Sequence, residues 1–257
     1  MDGVDLSFLT KPCVGGDMLA VPIEKEINAW LSAHNAPYPV IKGYGMTELS
    51  ACATACILDK NKPGSVGVPN ADFIIAAFDR ETGEELDCGQ VGEICIHGPT
   101  IMMGYYNDPK ETDNVIRTHE DGLRWVHTGD IGYVDEEGFV FLNGRAKRMF
   151  MDWFGFKIFP AAIEDVLSLC ADVEYSCVVP VVNKENIRGF VPYVFYTVKP
   201  SCTKSEEELN KELADLCRKE LAEYMQPKYY KKIDEMPRTS IGKTDYVSLE
   251  KKAAELA

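Results

Sequence analysis

The sequence predicts an α/β opening segment, then a β-rich subdomain, then an α+β domain to the end of the chain. Three observations carry this. Helix-spaced and strand-like apolar runs alternate up to residue 63; residues 64–143 read as strands with one short helix among them; both kinds of run return after residue 145. The spans assigned on this basis are 1–63, 64–144 and 145–257. A chain of 257 residues suits roughly two domains with a proper buried core.

Charge marks the last boundary independently. Residues 1–144 hold 9 Lys or Arg against 23 Asp or Glu, whereas residues 145–257 hold 18 of each. The net charge of −14 therefore belongs to the first part. An acidic body argues against a nucleic-acid partner, and a small polyanion would need the local basic groups that become frequent after residue 145. No apolar run approaches the length of a membrane span, and no basic-then-apolar leader opens the sequence. Nine cysteines without a Cys-x-x-Cys pair, and with no Cys/His spacing suited to zinc, read as reduced and mostly buried thiols of a cytoplasmic protein.

Taken in order, residues 1–10 are weakly patterned. Val14-Gly15-Gly16-Asp17 is a Gly-rich break, and Gly15 and Gly16 are placed among the candidate nucleotide-contacting residues. Ile23, Ile27, Trp30 and Leu31 fall on one helical face, which Pro37 and Pro39 end. Val40-Ile41 is a short buried-strand candidate. Gly43-Tyr44-Gly45-Met46-Thr47-Glu48 follows, then small residues, Ala51-Cys52-Ala53-Thr54-Ala55, that suit a tightly packed helix. A Gly-bearing turn between strand and helix favours an anion at the helix start. Thr47 either donates its hydroxyl to a phosphate or caps the helix, and Glu48 has the chemistry to hold Mg²⁺ through oxygen.

Strand-like runs at Asp72–Asp79 and Val91–His97 are divided by a turn at Glu81-Thr82-Gly83-Glu84. Asp108-Pro109-Lys110-Glu111 predicts a short helix with an Asp cap, a first-position Pro and a Glu closing a capping box. His97, His119 and His127 are scattered and show no metal geometry in sequence.

His127-Thr128-Gly129-Asp130 then leads into Gly132-Tyr133-Val134, an acidic turn closed by Gly138, and Phe139-Val140-Phe141-Leu142 up to Gly144-Arg145. Period-2 runs flanking such a turn predict a hairpin. Its closure brings Asp130 and Arg145 together at one sheet edge. Two readings fit the pair. It is a surface ion pair holding the hairpin, or it is a carboxylate that accepts a ribose diol with a forked donor beside it.

Beyond Lys147, Met149–Phe159 sets many aromatics around Gly155, either as core or as an extended loop lining an apolar tunnel. Ala161–Cys170 reads as a helix, Val173–Val182 and Phe190–Val198 as strands split by a polar turn at 183–188. Ser205-Glu206-Glu207-Glu208 is a capping box opening a helix that buries Leu209, Leu213, Leu216 and Leu221, with Cys217 as packing and Met225-Gln226-Pro227 as its stop. Pro237-Arg238-Thr239-Ser240-Ile241-Gly242-Lys243 is a loop before a closing helix, and Lys243 is by itself either a solvated lysine or a catalyst.

Together these pieces resemble the adenylate-forming superfamily of acyl-CoA synthetases, luciferases and peptide-synthetase adenylation domains. The motifs are Gly43–Glu48, Gly92-Glu93-Ile94-Cys95 with Met103-Gly104-Tyr105, Thr128-Gly129-Asp130, Gly144-Arg145 with Gly155 and Pro160–Glu164, and Pro237–Lys243, in the family's order. The resemblance implies a truncated acyl-CoA synthetase-like fold: a remnant of the α/β subdomain, the β-rich subdomain and a mobile C-terminal domain. It implies Tyr44 beside adenine with Gly45 among the cofactor-binding residues, Thr47 on phosphate, Glu48 on Mg²⁺, Asp130 on ribose with Arg145 beside it, Lys147 as hinge, Gly155 in the thiol tunnel, and Lys243 bridging the substrate carboxylate and α-phosphate.

The implied reaction joins a carboxylic acid and ATP-Mg into an acyl-adenylate, then passes the acyl group to coenzyme A. Loading of a carrier protein is the rival reading, and a non-catalytic nucleotide-binding or assembly piece a third. Two departures matter. The stretch from Gly144 to Gly155 is one residue longer than in many relatives, and the family's Ser/Thr/Gly-rich phosphate loop is absent from these 257 residues. A C-terminal piece is expected, inactive in adenylation alone and prone to self-association through uncovered sheet. Replacing Lys243 with Ala in a complete enzyme is expected to damage adenylate formation far more than thioester formation.

Overall fold

A computed structural model describes residues 4–16, 18–57, 61–183, 189–240 and 242–256. Asp17 of the Gly-rich break, residues 184–188 of the expected polar turn and Ile241 of the last motif lie outside the described residues. The chain divides into two units, Met1–Ala146 and Lys147–Ala257.

In the first unit, β1 (Cys13–Val14) runs into α1 (Val21–Ala33), which returns the chain to β2 (Ile41–Met46), parallel to β1 with Val14 opposite Lys42. The helix is closed by His34, whose N–H reaches back to Leu31, before the prolines. Its expected apolar face is only partly the buried one. Leu31 is buried, but Ile23 and Trp30 are exposed, and the position most deeply covered is Glu24. Lys42 on β2 explains the exchange: its ammonium donates to Glu24 Oε1 at 2.6 Å and to the Lys62 carbonyl at 3.1 Å, while the Gly64 N–H donates to Glu24 Oε2 at 3.2 Å.

Residues 51–55 are not the expected helix. They form β3 (Ala51–Ala55), antiparallel to β2 and paired with β4 (Val68–Pro69). Small side chains suit a tight strand pair as well as a tight helix, and here Thr54 settles the choice. Its hydroxyl accepts the Tyr44 N–H and donates to the Val66 carbonyl at 2.6 Å, which holds it between strands.

The second sheet of this unit uses β5 (Ile74–Phe78), β6 (Gly92–His97), β7 (Ile116–Thr118), β8 (Arg124–Val134) and β9 (Val140–Arg145). The order is β5-β6-β8-β7, with β9 also on β8. Alternation along β6 sorts its residues. Ile94 and Ile96 join Ile75, Ala77, Val126, Val140 and Leu49 in the main core, while Glu93 and Cys95 face the other side with Phe78 and Trp125 near them. The short helix α2 (Pro109–Val115) is capped by Asp108, which accepts the Glu111 N–H at 3.0 Å. The expected return bond of the capping box is replaced: Glu111 Oε2 accepts from Asn114 Nδ2 instead.

The second unit opens with a hairpin of β10 (Phe150–Met151) and β11 (Lys157–Ile158), followed by α3 (Pro160–Leu167). β12 (Val173–Val182) pairs antiparallel with β13 (Phe190–Val198), which pairs parallel with β14 (Tyr229–Lys232), a strand the sequence pattern did not show. α4 (Glu206–Glu220) carries the expected capping box and buries Leu209, Leu213 and Cys217. It ends at Leu221, before Met225, and a 3-10 turn at Glu223–Met225 intervenes. α5 (Tyr246–Leu256) closes the chain over β12 and β13 through Leu249 and Ala253.

One carboxyl of this unit gives it a pH dependence. Burial, and then the charge of neighbouring Glu164, push Asp165 up to about 6. A carboxyl raised above its unfolded value costs stability as pH climbs from the unfolded value through the folded one. Asp165→Asn is therefore expected to be the more stable protein at pH 7.5, by about 3 kcal/mol at most. Urea unfolding should show that gain fading as pH falls towards 4, where both forms are neutral at this position.

Candidate functional site

Register alone builds the centre of the site. Asp130 on β8 stands directly opposite Arg145 on β9, and Arg145 Nε donates to Asp130 Oδ1 at 2.8 Å. The other carboxylate oxygen accepts the Tyr44 hydroxyl, across 86 residues of chain. Asp130 is buried, whereas the Arg145 side chain is half exposed, which leaves a cation facing outward beside a fixed carboxylate. Burial, with the Asp130 charge next, holds the Tyr44 phenol well above its ordinary pKa, so it remains a donor.

The turn that presents Asp130 is fixed at each residue. Thr128 is buried; its hydroxyl donates to the Ile94 carbonyl at 2.6 Å and accepts the Asp130 N–H at 3.0 Å. Gly129 adopts φ of 71°, a conformation that favours glycine, and its N–H donates to Glu93 Oε1 at 2.9 Å. The Gly129 carbonyl accepts the Ala146 N–H at 2.8 Å. Sequence reasoning found Asp130 and Arg145 but gave no role to Thr128, Gly129 or Glu93.

Tyr44 and Gly45 sit on β2 itself, and Thr47–Leu49 is one turn of 3-10 helix. The expected anion site at a helix start is thus corrected: Thr47 caps no helix, and three residues carry too little aligned backbone to hold an anion. Glu48 is half buried on this turn. Tyr105 donates its hydroxyl to Glu48 Oε1 at 2.5 Å, and that bond is the main reason the Tyr105 phenol is pushed up to about 12. The Glu48 carbonyl accepts the Met102 N–H at 2.9 Å. Tyr105 lay within a recognised motif, yet nothing local in sequence announces a partner 57 residues away. Gly15 and Gly16 follow β1, and Gly15 lies against the Gly43 carbonyl, alongside the strand that bears Tyr44.

The remaining candidates belong to the second unit. Lys147 is its exposed first residue. Gly155, at φ of 86°, turns the hairpin whose Asp152 carboxylate accepts the Phe154 and Phe156 N–H groups at 2.9 and 2.8 Å. Of the open readings for this aromatic stretch, core fits only Phe150 and Ile158; Met151, Trp153, Phe154 and Phe156 are exposed. Lys243 is exposed on a tight loop in which the Thr239 N–H donates to the Lys243 carbonyl at 2.7 Å and Arg238 donates to the Gly242 carbonyl.

The expected absence of metal geometry among the histidines is also corrected. Glu93, Cys95 and His127 converge, with donor atoms within 4.8 Å of one another. Strand pairing places Cys95 opposite His127, a neighbourhood that residue spacing along the chain cannot reveal.

Profiles of two families match the chain. That of the AMP-binding enzymes matches residues 2–106, and that of the AMP-binding enzyme C-terminal domain matches residues 162–243. The chain is 37% identical over 240 residues to a long-chain-fatty-acid–CoA ligase of Bacillus subtilis (strain 168), covering 93% of this chain and 40% of the relative. It is 34% identical over 246 residues to 4-coumarate–CoA ligase 1 of Glycine max, covering 93% of this chain and 78% of the relative. Among solved structures, ATP-bound MatB from Rhodopseudomonas palustris matches with a TM-score of 0.81 at 27% identity, over 95% of this chain and 45% of that one. The chain spans about two fifths of the length of several curated relatives it matches.

Proposed function

The chain belongs to the AMP-binding enzyme family, and we propose that it supplies the nucleotide-gripping and C-terminal parts of an AMP-forming ligase that activates a carboxylic acid with ATP and passes the acyl group to coenzyme A. The observation that carries this is the doubly held Asp130. Arg145 and Tyr44 each take one of its oxygens, so the carboxylate is oriented before any ligand arrives. A carboxylate oriented in this way has the chemistry to accept a ribose diol, and the half-exposed guanidinium beside it suits sugar or phosphate oxygens.

The remaining roles follow from the chemistry of the residues. Tyr44 flanks the base, and Thr47, exposed on its turn, offers a hydroxyl to the phosphates. Glu48 fits Mg²⁺, because the Tyr105 hydroxyl fixes one oxygen and leaves a half-buried carboxylate to face a cation that prefers one or two carboxylates plus phosphate oxygens. When bound, Mg²⁺ neutralises charge on the leaving pyrophosphate. Lys243, exposed on its braced loop, would stabilise charge developing as the carboxylate attacks the α-phosphate. Lys147 would act as the hinge between that step and thiol attack, for which the Gly155 hairpin offers an apolar surface. The chain's likeness to CoA ligases supports coenzyme A as the acceptor.

Calorimetric titration of the purified chain with AMP tests the reading. Saturable binding is expected, weakened roughly tenfold to a hundredfold by Asp130→Asn, which removes a charged acceptor. Absence of AMP heat from a folded protein, or equal affinity in Asp130→Asn, would overturn it.

A further inference from the structure

The reverse face of the β6–β8 strand pair holds a group of donors that nucleotide binding does not use. Glu93 and Cys95 are two residues apart on β6 and so share a face, and His127 stands opposite Cys95 on β8. His127 Nδ1 lies 3.2 Å from Glu93 Oε2 and 3.5 Å from Cys95 Sγ. A tetrahedral zinc ion with ordinary bond lengths sets its ligands about 3.3 Å apart for N···O and about 3.6 Å for N···S. Two edges of the donor triangle thus already match a coordination polyhedron.

The surroundings are those of a held ligand set. The other nitrogen of His127 is 2.9 Å from His119 Nε2, so one ring can donate to the other while Nδ1 is given to a metal. His119 is itself fixed, stacked on Trp125 at 5.5 Å and edge-on to Phe78 at 4.7 Å. Glu93 keeps its second oxygen on the Gly129 N–H, which orients the carboxylate without using the oxygen nearest His127. Cys95 is fully buried and Glu93 nearly so, which shields the group from competing water. Two cations oppose a metal ion here: Arg80, half exposed, whose Nε is 3.7 Å from Glu93 Oε2, and Arg117, whose charge acts on Cys95.

We propose that Glu93, Cys95 and His127 form a three-ligand tetrahedral site for a thiophilic divalent cation of the zinc class, with water at the fourth position. The Cys95 thiol proton passes to solvent as the metal–sulfur bond forms, and no electrons are transferred. Because Glu93 also holds Gly129, the ion would brace the turn that presents Asp130. The site stands independently of the nucleotide reading.

Cobalt(II) added to the reduced full chain tests this. The expected result is a near-ultraviolet thiolate-to-metal band with visible tetrahedral bands, saturating at one equivalent and bleached by zinc. Cys95→Ala should abolish the bands, and a Cys13→Ser/Cys52→Ser/Cys88→Ser protein, lacking the exposed thiols, should retain them. Zinc-edge absorption fine structure of the unaltered chain should show one sulfur at about 2.3 Å and otherwise N/O ligands at about 2.0 Å. Cobalt spectra like those of the free ion, bands that survive Cys95→Ala, or two or more sulfurs around zinc would each overturn the assignment.

Discussion

Lys42→Met is expected to destabilise the first unit by roughly 3–5 kcal/mol, because it strips the cation from a carboxylate that has no access to water. Glu24 and Lys42 are both almost wholly buried, at 2% and 6% side-chain exposure, and lie 2.6 Å apart. Methionine keeps most of the lysine volume, so the loss measures the ion pair rather than a cavity. What remains around Glu24 among the described residues is one backbone donor, the Gly64 N–H, too little to stabilise a buried charge. The pair Glu24→Leu with Lys42→Met removes both charges together and should recover most of the loss. Urea unfolding of the three variants reads this directly. A single substitution within about 1 kcal/mol of the parent would show that water reaches Glu24.

That same pair marks how far the sequence could be read. Long runs of strand-forming residues gave β12 and β13 to the residue, and the capping box gave the start of α4, because each is a local signal. The hairpin itself was legible for the same reason, a Gly-closed acidic turn, but the shift in register between Ile131 and Gly132, which puts Arg145 rather than Gly144 opposite Asp130, was not. Glu24 was not legible, since an acidic residue on a helix is ordinarily solvated and its partner lies 18 residues away. Nor was the strand at Ala51–Ala55, whose run of small residues carries no period and whose pairing depends on glycines in a different strand. The donors Glu93, Cys95 and His127 repeat the lesson in the site region. They are 32 to 34 residues apart across strands, and only the ladder brings them together.

Gly45→Ala is expected to cost roughly 3 kcal/mol or more, and to carry the nucleotide site down with it. A Cβ at this position would sit 1.7 Å from the Ala51 carbonyl oxygen and 2.7 Å from the Cys52 Cα. These are backbone atoms, so no rotamer change relieves the clash; β2 and β3 must separate. The register already slips between Tyr44 and Gly45, and Ala51 is held at φ of 143°, a conformation rare for a residue with a side chain. The close approach is therefore bought with strain on one strand and a bare Cα on the other. Tyr44 is the immediate neighbour and Thr47 and Glu48 follow within three residues, so displacement here moves the donor on Asp130 and the turn bearing Glu48 together. Gly83→Ala supplies the control. Gly83 has φ of 77° with nothing within 4 Å of a Cβ, so it isolates conformational strain, about 1–2 kcal/mol, from collision. Unfolding free energy and AMP affinity measured on both variants should separate them clearly, with AMP binding lost in Gly45→Ala and kept in Gly83→Ala. Equal stability of the two would mean that the strands do not approach as closely as Gly45 permits.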